Sequence, residues 1–170
     1  MQELPTPSLG GRAVPRRQPS SRHCFICGVQ NPIGLKLQFV DDGDSSARAE
    51  VTVPEQFNGY PGVVHGGIVA AILDEVSGRA LLARGHDIKN LFVTLKMEIR
   101  YRQPTPTNTL LTAVGNIVKA SAARAVVHGE IRLPDGTVTA EADCIVARPP
   151  EEFAERWESE RPYWKVYDET

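Results

Sequence analysis

Asp74 is the side chain of this sequence with the strongest claim to a chemical role, because it lies inside a long apolar segment. Residues three and four positions away on a helix share a face, and none of these neighbours of Asp74 is basic. Burying a carboxylate without a partner costs free energy unless another group bonds it or the chemistry uses it. Asp74 is therefore either a functional acid or a structural acid whose partner lies elsewhere in the chain.

The tripeptide His65-Gly66-Gly67 lies just ahead of that apolar segment. Its two glycines have no side chain to keep another molecule away from the backbone, so their N–H groups are candidate donors to a ligand. The segment after them predicts a helix from Ile68 to Arg84 that ends at Gly85, a residue suited to a helix C-terminus. Because the first turns of this helix are apolar nearly all round, we expect it to be buried.

Glu75 follows Asp74 directly but shares a helix face with Arg79, four residues further on. An ion pair between Glu75 and Arg79 explains this second acid without a function. We nevertheless include Glu75 among the candidate substrate-binding residues.

Strands account for most of the remaining chain, because apolar and polar residues alternate along it. The predicted strands are 35–40, 47–53, 91–102, 110–119, 123–133 and 138–147. In the third of these, the alternation puts Leu95 and Met97 on the apolar face and Thr94 on the other. The order β-β-α-β-β-β-β predicts an α+β fold, an antiparallel sheet with the single helix covering one face.

The composition of the chain limits the kinds of function that it can have. The chain has 170 residues, 41% hydrophobic and 24% charged, which is ordinary for a single globular domain. A formal net charge of −2 gives no electrostatic reason to expect nucleic acid or an anionic membrane as the main partner. No apolar run is long enough for a membrane span, and the N-terminus lacks an apolar signal core, so we expect a cytoplasmic protein.

Three regions follow from the local composition. Residues 1–22, rich in Pro, Ser, Gly and Arg, predict a flexible tail, and residues 23–148 predict the domain. Residues 149–170 predict a charged extension with a short surface helix that docks Phe153 and Trp157. The end of the chain is either a tail or, through Trp164 and Tyr167, a contact with a partner chain.

Cys24 and Cys27 form a CxxC pair near the start of the domain. Zinc usually takes four ligands, and the third cysteine, Cys144, falls far along in a predicted strand. A site shared with His23 or with a second chain is one alternative, whereas a redox pair is disfavoured because no βαβ pattern surrounds it. Packing of the two cysteines beside Phe25 is the favoured interpretation.

Several motifs together carry a resemblance to a known family. They are the run from Gly59 to Gly67, Asp74, the later Val93-Thr94, and an opening from Cys24-Phe-Ile-Cys-Gly to Asn-Pro-Ile-Gly-Leu35. This pattern resembles the hotdog-fold acyl-CoA thioesterases of the PaaI-like group in the 4-hydroxybenzoyl-CoA thioesterase superfamily. The resemblance covers about Cys24 to Arg148, and it implies a curved antiparallel sheet wrapped around one long central helix.

The resemblance also implies roles for the residues around Asp74. Asp74 matches the catalytic acid, which acts as a general base on water or attacks the carbonyl itself. Gly66, with Gly67 beside it, matches the oxyanion hole at the helix N-terminus, and Thr94 matches the hydroxyl residue that positions water or the acid. His65 either donates to the thioester oxygen or ties the loop to the helix. The family builds this site between subunits, so a homodimer or homotetramer is expected.

Contacts with the substrate are less determined by the sequence. Asn58 corresponds to a substrate-binding asparagine of some relatives, but the spacing to His65 here is one residue longer. Three basic residues, Arg100, Lys119 and Arg124, are candidates for the phosphates of coenzyme A, although solvated strand faces explain them equally well. No cofactor is expected.

Two other functions fit the same motifs. One is an acyl-CoA-binding sensor or carrier without turnover, since the fold does not fix the function. The other is a hydratase or dehydratase, which usually pairs an Asp with a His about five residues on, and no such His follows Asp74. The presence of both Asp74 and Thr94 favours the thioesterase.

Overall fold

One six-stranded antiparallel sheet and one long helix make up the domain, in a computed structural model that describes residues 15–168. The sheet contains β1 (Val40–Asp41), β2 (Ser46–Thr52), β5 (Val93–Tyr101), β6 (Leu110–Ala120), β7 (Arg124–Arg132) and β8 (Val138–Ala147). The helix is α1 (Gly66–Leu82), the separate hairpin is β3 (Asn58–Tyr60) with β4 (Val63–Val64), and the short final helix is α2 (Glu151–Trp157). The strand order β1-β2-β6-β7-β8-β5 confirms the predicted α+β arrangement of a curved antiparallel sheet around one helix.

Helix α1 packs against the centre of this sheet. Ile72, Leu73 and Val76 are fully buried there. Gly115 and Gly129 face each other across β6 and β7, and a Cβ atom on Gly115 would lie 2.3 Å from the carbonyl oxygen of Val76. Any larger residue at position 115 would push the helix away, so the glycine sets the short distance between helix and sheet.

The first predicted strand, 35–40, is largely wrong. Its pairing with β2 begins only at Val40, and the N–H of Leu35 instead donates to the carbonyl of Phe25 at 2.9 Å. Lys36 has a φ of 55°, which breaks the extended geometry that a strand requires. The apolar alternation reflects real burial here, but the backbone bonds to the preceding loop rather than to a sheet.

Strand β5 contains a β-bulge between Thr94 and Lys96. Thr94 pairs with Val146, a buried residue, and therefore points to the helix side of the sheet. Leu95 is the extra residue and is 55% exposed. The predicted faces of Leu95 and Thr94 were thus wrong, because a bulge reverses the alternation on one side of it.

Residues 15–22, which the sequence assigned to a flexible tail, lie against the domain. The N–H of Gln18 donates to Phe39 at 2.9 Å, and the N–H of Ser20 donates to Lys165 at 2.9 Å. Both Gln18 and Ser20 are buried. These backbone bonds correct the predicted boundary of the tail, whose first 14 residues lie outside the described part of the chain.

The C-terminal extension packs on its own chain. The indole N–H of Trp164 donates to the carbonyl of His86 at 2.8 Å, and the Tyr167 hydroxyl donates to Tyr163 at 2.6 Å. The alternative of a partner contact through these two aromatic residues is therefore not needed. In α2, Phe153 is 44% exposed and does not dock as predicted. Among residues 15–168, no helix is long and apolar enough to cross a membrane.

Candidate active site

His65 forms the N-cap of α1. Its Nδ1 atom accepts a hydrogen bond from the N–H of Gly67 at 2.9 Å. Because Nδ1 accepts, the proton of the neutral ring lies on Nε2. The N–H of Gly67 is thus bonded within the chain, which leaves Gly66 as the glycine of the pair whose N–H faces outward.

Gly66 is the first residue of α1 and borders a cavity of about 760 Å³. Within residues 15–168, its N–H has no acceptor. The Tyr101 hydroxyl donates to the carbonyl of Gly66 at 2.8 Å, and Tyr60 lines the same cavity. Tyr101 was not predicted as a site residue; the one available signal was that a tyrosine hydroxyl normally needs a polar partner.

Asp74 and Thr94 come together, as the resemblance implied. The Thr94 hydroxyl donates to Oδ1 of Asp74 at 2.6 Å, a contact that the bulge in β5 makes possible by turning Thr94 toward the helix. Both residues line a second cavity, of about 420 Å³. Thr94 fixes one oxygen of the carboxylate, and the other can accept a proton.

Gly66 and Asp74 lie far apart within one chain. At 1.5 Å per residue, about 12 Å of helix rise separates positions 66 and 74. The two residues also border different cavities. One carbonyl group therefore cannot contact both residues of the same protomer.

Glu75, predicted as a substrate-binding residue or as an ion-pair partner, forms the predicted ion pair. Its Oε1 atom accepts from Nε of Arg79 at 2.9 Å, and Arg79 is only 3% exposed. A second Arg79 nitrogen donates to the carbonyl of Pro19 at 2.5 Å. The other carboxylate oxygen of Glu75 lies 3.5 Å from Sγ of Cys24.

The cysteine pair lies beside this ion pair. Cys27 is buried, and a hydrogen bond from Cys24, reinforced by the charge of Arg79, lowers the pKa of the Cys27 thiol to about 7. The same hydrogen bond, burial and the charge of Glu75 raise the pKa of Cys24. Cys144 lies in β8, away from this pair, and burial raises the pKa of its thiol.

Asn58 braces the loop ahead of α1. Its side-chain amide donates to Glu55 at 2.8 Å, and the same carboxyl oxygen accepts the N–H of Gly62 at 2.9 Å. The second oxygen of Glu55 accepts the hydroxyl of Thr107. The amide of Asn58 is therefore engaged in holding the loop shape.

Two of the three basic candidates lie together. Lys119 and Arg124 line one shallow cavity of about 210 Å³ at the β6–β7 turn. Arg100 lies instead beside Glu141, 3.8 Å away, further along the sheet. Arg100 is thus separated from the other two.

Comparisons with known proteins agree with this geometry. The family model described as the thioesterase superfamily matches residues 61–140, a stretch that includes His65, Gly66, Asp74 and Thr94. A search of curated protein sequences gives no match.

Solved structures share the fold. A thioesterase superfamily protein is 31% identical and covers 74% of this chain, with a TM-score of 0.66; this chain spans 60% of that protein. A hypothetical thioesterase from Streptococcus pneumoniae, solved with coenzyme A, is 22% identical over 66% of this chain and 85% of its own, with a TM-score of 0.59. PaaI of the Escherichia coli phenylacetic acid degradation operon is 18% identical over 67% of this chain and 84% of its own, with a TM-score of 0.60.

The matching family model, the similar structures and the sheet wrapped around α1 confirm the resemblance found in the sequence. This chain has the hotdog fold, and its sequence is similar to members of the thioesterase superfamily.

Proposed function

We propose that this protein hydrolyses the thioester bond of an acyl-coenzyme A, with Asp74 as the catalytic acid. The observation that carries the proposal is the 2.6 Å hydrogen bond from Thr94 to Asp74, which fixes a carboxylate at the edge of a cavity. The coenzyme A bound to the Streptococcus pneumoniae relative supports the class of substrate.

Charge develops on the thioester oxygen during attack, and α1 offers two donors for it. The N–H of Gly66 lies at the positive end of the helix dipole, where a developing negative charge is stabilised. His65 adds its Nε2–H, since its Nδ1 is already an acceptor. The helix start, held by Tyr101 and by the His65 cap, thus serves as the oxyanion hole.

Asp74 supplies the remaining chemistry. It accepts a proton from water as the water oxygen bonds to the carbonyl carbon, or it attacks that carbon itself to give an anhydride that water then opens. In either route the carbon–sulfur bond breaks, and the coenzyme A thiolate leaves and takes up a proton. Thr94 holds Asp74 in position throughout.

The site is built from two protomers. Because about 12 Å of helix separates Gly66 from Asp74, the oxyanion donor of one protomer works with the partner's Asp74. Strand β5 is an edge of the described sheet, and its exposed apolar residues include Leu95 and Tyr101. An exposed apolar edge strand is suited to pair with a second copy.

Lys119 and Arg124 hold phosphate groups of coenzyme A in this proposal. They are the two basic candidates that share a cavity, and they lie at the end of the sheet that carries Thr94, since Arg124 and Val93 both pair with Ala147. We also propose that the protein is cytoplasmic and that it assembles as a homodimer or a homotetramer.

The direct test measures thiol release from a panel of short, medium, long and aromatic acyl-CoAs, with Asp74→Asn run in parallel. We expect wild type to turn over at least one of them and the variant to lose ~10²-fold or more in rate at unchanged folding. If neither protein releases thiol while both bind acyl-CoA, the protein is a sensor or carrier.

A complementation experiment tests the shared site. Gly66→Pro removes only the donor N–H, because proline is well accepted at the first position of a helix and His65, at φ −56° and ψ 134°, tolerates a following proline. Mixing Gly66→Pro with Asp74→Asn subunits should restore roughly a quarter of wild-type activity, since half of the random dimers then have one intact site of two. A site contained in one protomer would regain nothing.

A further inference from the structure

We propose that Cys24, Cys27 and Glu75 form a binding site for a zinc ion, on a different face of α1 from Asp74. The site joins the loop that precedes the sheet to the middle of the central helix. It does not depend on the proposed thioesterase activity.

The ligand atoms have the spacing that a metal needs. The two sulfur atoms and one carboxylate oxygen lie within 4.8 Å of one another, and Sγ of Cys24 is 3.5 Å from Oε2 of Glu75. Tetrahedral zinc, with bonds of about 2.3 Å to sulfur and 2.1 Å to oxygen, places these two atoms about 3.6 Å apart. The separation of Cys24 and Glu75 is therefore already close to the one that zinc requires, and the other distances between ligand atoms lie within 4.8 Å.

The backbone around Cys24 is already shaped for a thiolate ligand. The N–H of Ile26 points at Sγ of Cys24 at 3.3 Å, and a donor at that position favours the negatively charged sulfur. The turn closes with a 2.8 Å bond from the N–H of Gly28 to the carbonyl of Cys24. A Cβ atom on Gly28 would lie 2.4 Å from that oxygen, so the turn requires glycine.

Arg79 completes the charge balance. Two thiolates and one carboxylate carry three negative charges, which Zn²⁺ and the buried guanidinium of Arg79 together neutralise. Arg79 binds Oε1 of Glu75 and leaves Oε2 directed at the sulfur, so it orients the carboxylate as an outer-shell partner of a metal ligand does. Thiolate ligands select zinc over harder ions such as Mg²⁺, and the fourth position falls to a water molecule.

A second cluster of possible ligands has no such arrangement. His128, Glu130 and Glu141 also lie within 4.8 Å of one another. Arginines occupy both of their carboxylates, however: Arg132 contacts Glu130 at 2.6 Å, and Arg102 contacts Glu141 at 2.5 Å. This cluster is explained by ion pairs on the outer side of the sheet, and it supplies a control.

The test is a titration of the reduced, metal-free full chain with Co²⁺, followed by displacement with Zn²⁺. Cobalt bound by two thiolates in a tetrahedral site gives near-ultraviolet charge-transfer absorption and intense visible bands. We expect saturation at one equivalent, loss of the signal when zinc is added, and a zinc-dependent rise in Tm of roughly 5 to 10 °C at a hundredfold excess over Kd.

Variants locate the ion. Cys24→Ser, at a half-buried position, should weaken zinc binding by ~10²-fold or more, with the metal-free Tm showing that the variant still folds. Cys144→Ala removes the remaining thiol and His128→Gln disrupts the second cluster, and both should bind cobalt as wild type does. A reduced chain that takes up no cobalt overturns the proposal, as does equal binding by Cys24→Ser.

Discussion

Asp74 and Glu75 are consecutive residues of one helix, yet their surroundings differ in almost every respect. Asp74 contacts a single hydroxyl, that of Thr94, at the edge of a cavity. Glu75 contacts a buried guanidinium and a thiol, on a side of the helix that both ends of the described chain cover. A helix turns about 100° per residue, so adjacent acids face different elements. The strand or loop opposite each acid, rather than the acid itself, therefore decides whether its carboxylate borders a cavity or is held in an ion pair.

The largest effect should come from exchanging the two acids for their amides. Asp74→Asn should lower the rate ~10²-fold or more while leaving the free energy of unfolding nearly unchanged. Glu75→Gln should lower the free energy of unfolding by about 2 kcal/mol, because it leaves the buried Arg79 without its counter-charge. Steady-state thiol release measures the rates of both variants, and urea unfolding measures their free energies of unfolding. Equal losses of rate in the two variants would contradict the different roles of the two acids.

Removing the partner of Asp74 should have the next largest effect. Thr94→Val keeps the shape of the side chain but loses the donor to Oδ1, so we expect a rate roughly tenfold lower at an unchanged KM. Thr94→Ser restores the hydroxyl and serves as the matched control. If valine and serine lower the rate equally, the hydroxyl has no part in positioning Asp74.

Substitutions at His65 distinguish its role as the cap of helix α1 from its proposed role in the reaction. His65→Ala should cost about 1 kcal/mol of unfolding free energy, and His65→Asn should recover most of it because asparagine is a good N-cap. Asparagine does not reproduce the Nε2–H, so we expect the rate to remain several-fold below wild type in both variants. Full activity in His65→Asn would assign this histidine to the cap alone.

The smallest expected effect is on stability at acidic pH. It tests the contacts on the side of the helix that the two ends of the described chain cover. Burial alone raises the pKa of Asp41, but hydrogen bonds from Gln18, Arg16 and His86 outweigh it and hold the pKa below its usual value. A depressed carboxyl pKa adds stability above the unfolded value of about 3.9, and this stability is lost as the pH falls through the lower folded value.

Wild type should therefore exceed Asp41→Asn in unfolding free energy by about 1 kcal/mol near neutral pH, and the gap should narrow below about pH 4. Urea unfolding at several pH values between about 6 and 3 measures it. Parallel curves for the two proteins would contradict a stabilising role for the Asp41 contacts.

The sequence predicted the central helix, the strands that follow it along the chain and, through the family resemblance, the association of Thr94 with Asp74. The spacing of apolar residues identifies helices and strands well, because the burial of one face of an element dictates that spacing. It does not reveal the bulge that turns Thr94 inward, since an extra residue in a strand leaves no mark on composition. The shared site was expected only from the family resemblance, and the helix rise that separates Gly66 from Asp74 gives that expectation a physical reason.

The covered side of the helix was the hardest part to predict. Gln18, Ser20 and Trp164 lie in segments without periodicity, and hydrogen bonds to residues distant in sequence hold them in place. Local patterns carry no information about such contacts. For the same reason the 3.5 Å approach of Cys24 to Glu75 could not be inferred from the CxxC spacing.

The contact between α1 and the glycine pair at 115 and 129 has a consequence for how this scaffold can diversify. A Cβ atom would lie 2.3 Å from the carbonyl oxygen of Val76 at position 115 and 3.1 Å from the Ser77 hydroxyl oxygen at position 129, so the space between helix and sheet leaves no room for larger groups. Under the proposed function, changes of substrate preference should therefore arise at the rim of the cavity that Tyr60 and Tyr101 line. A directed-evolution library confined to that rim should yield new specificities without loss of folding, whereas one aimed at the interior should yield mostly inactive clones.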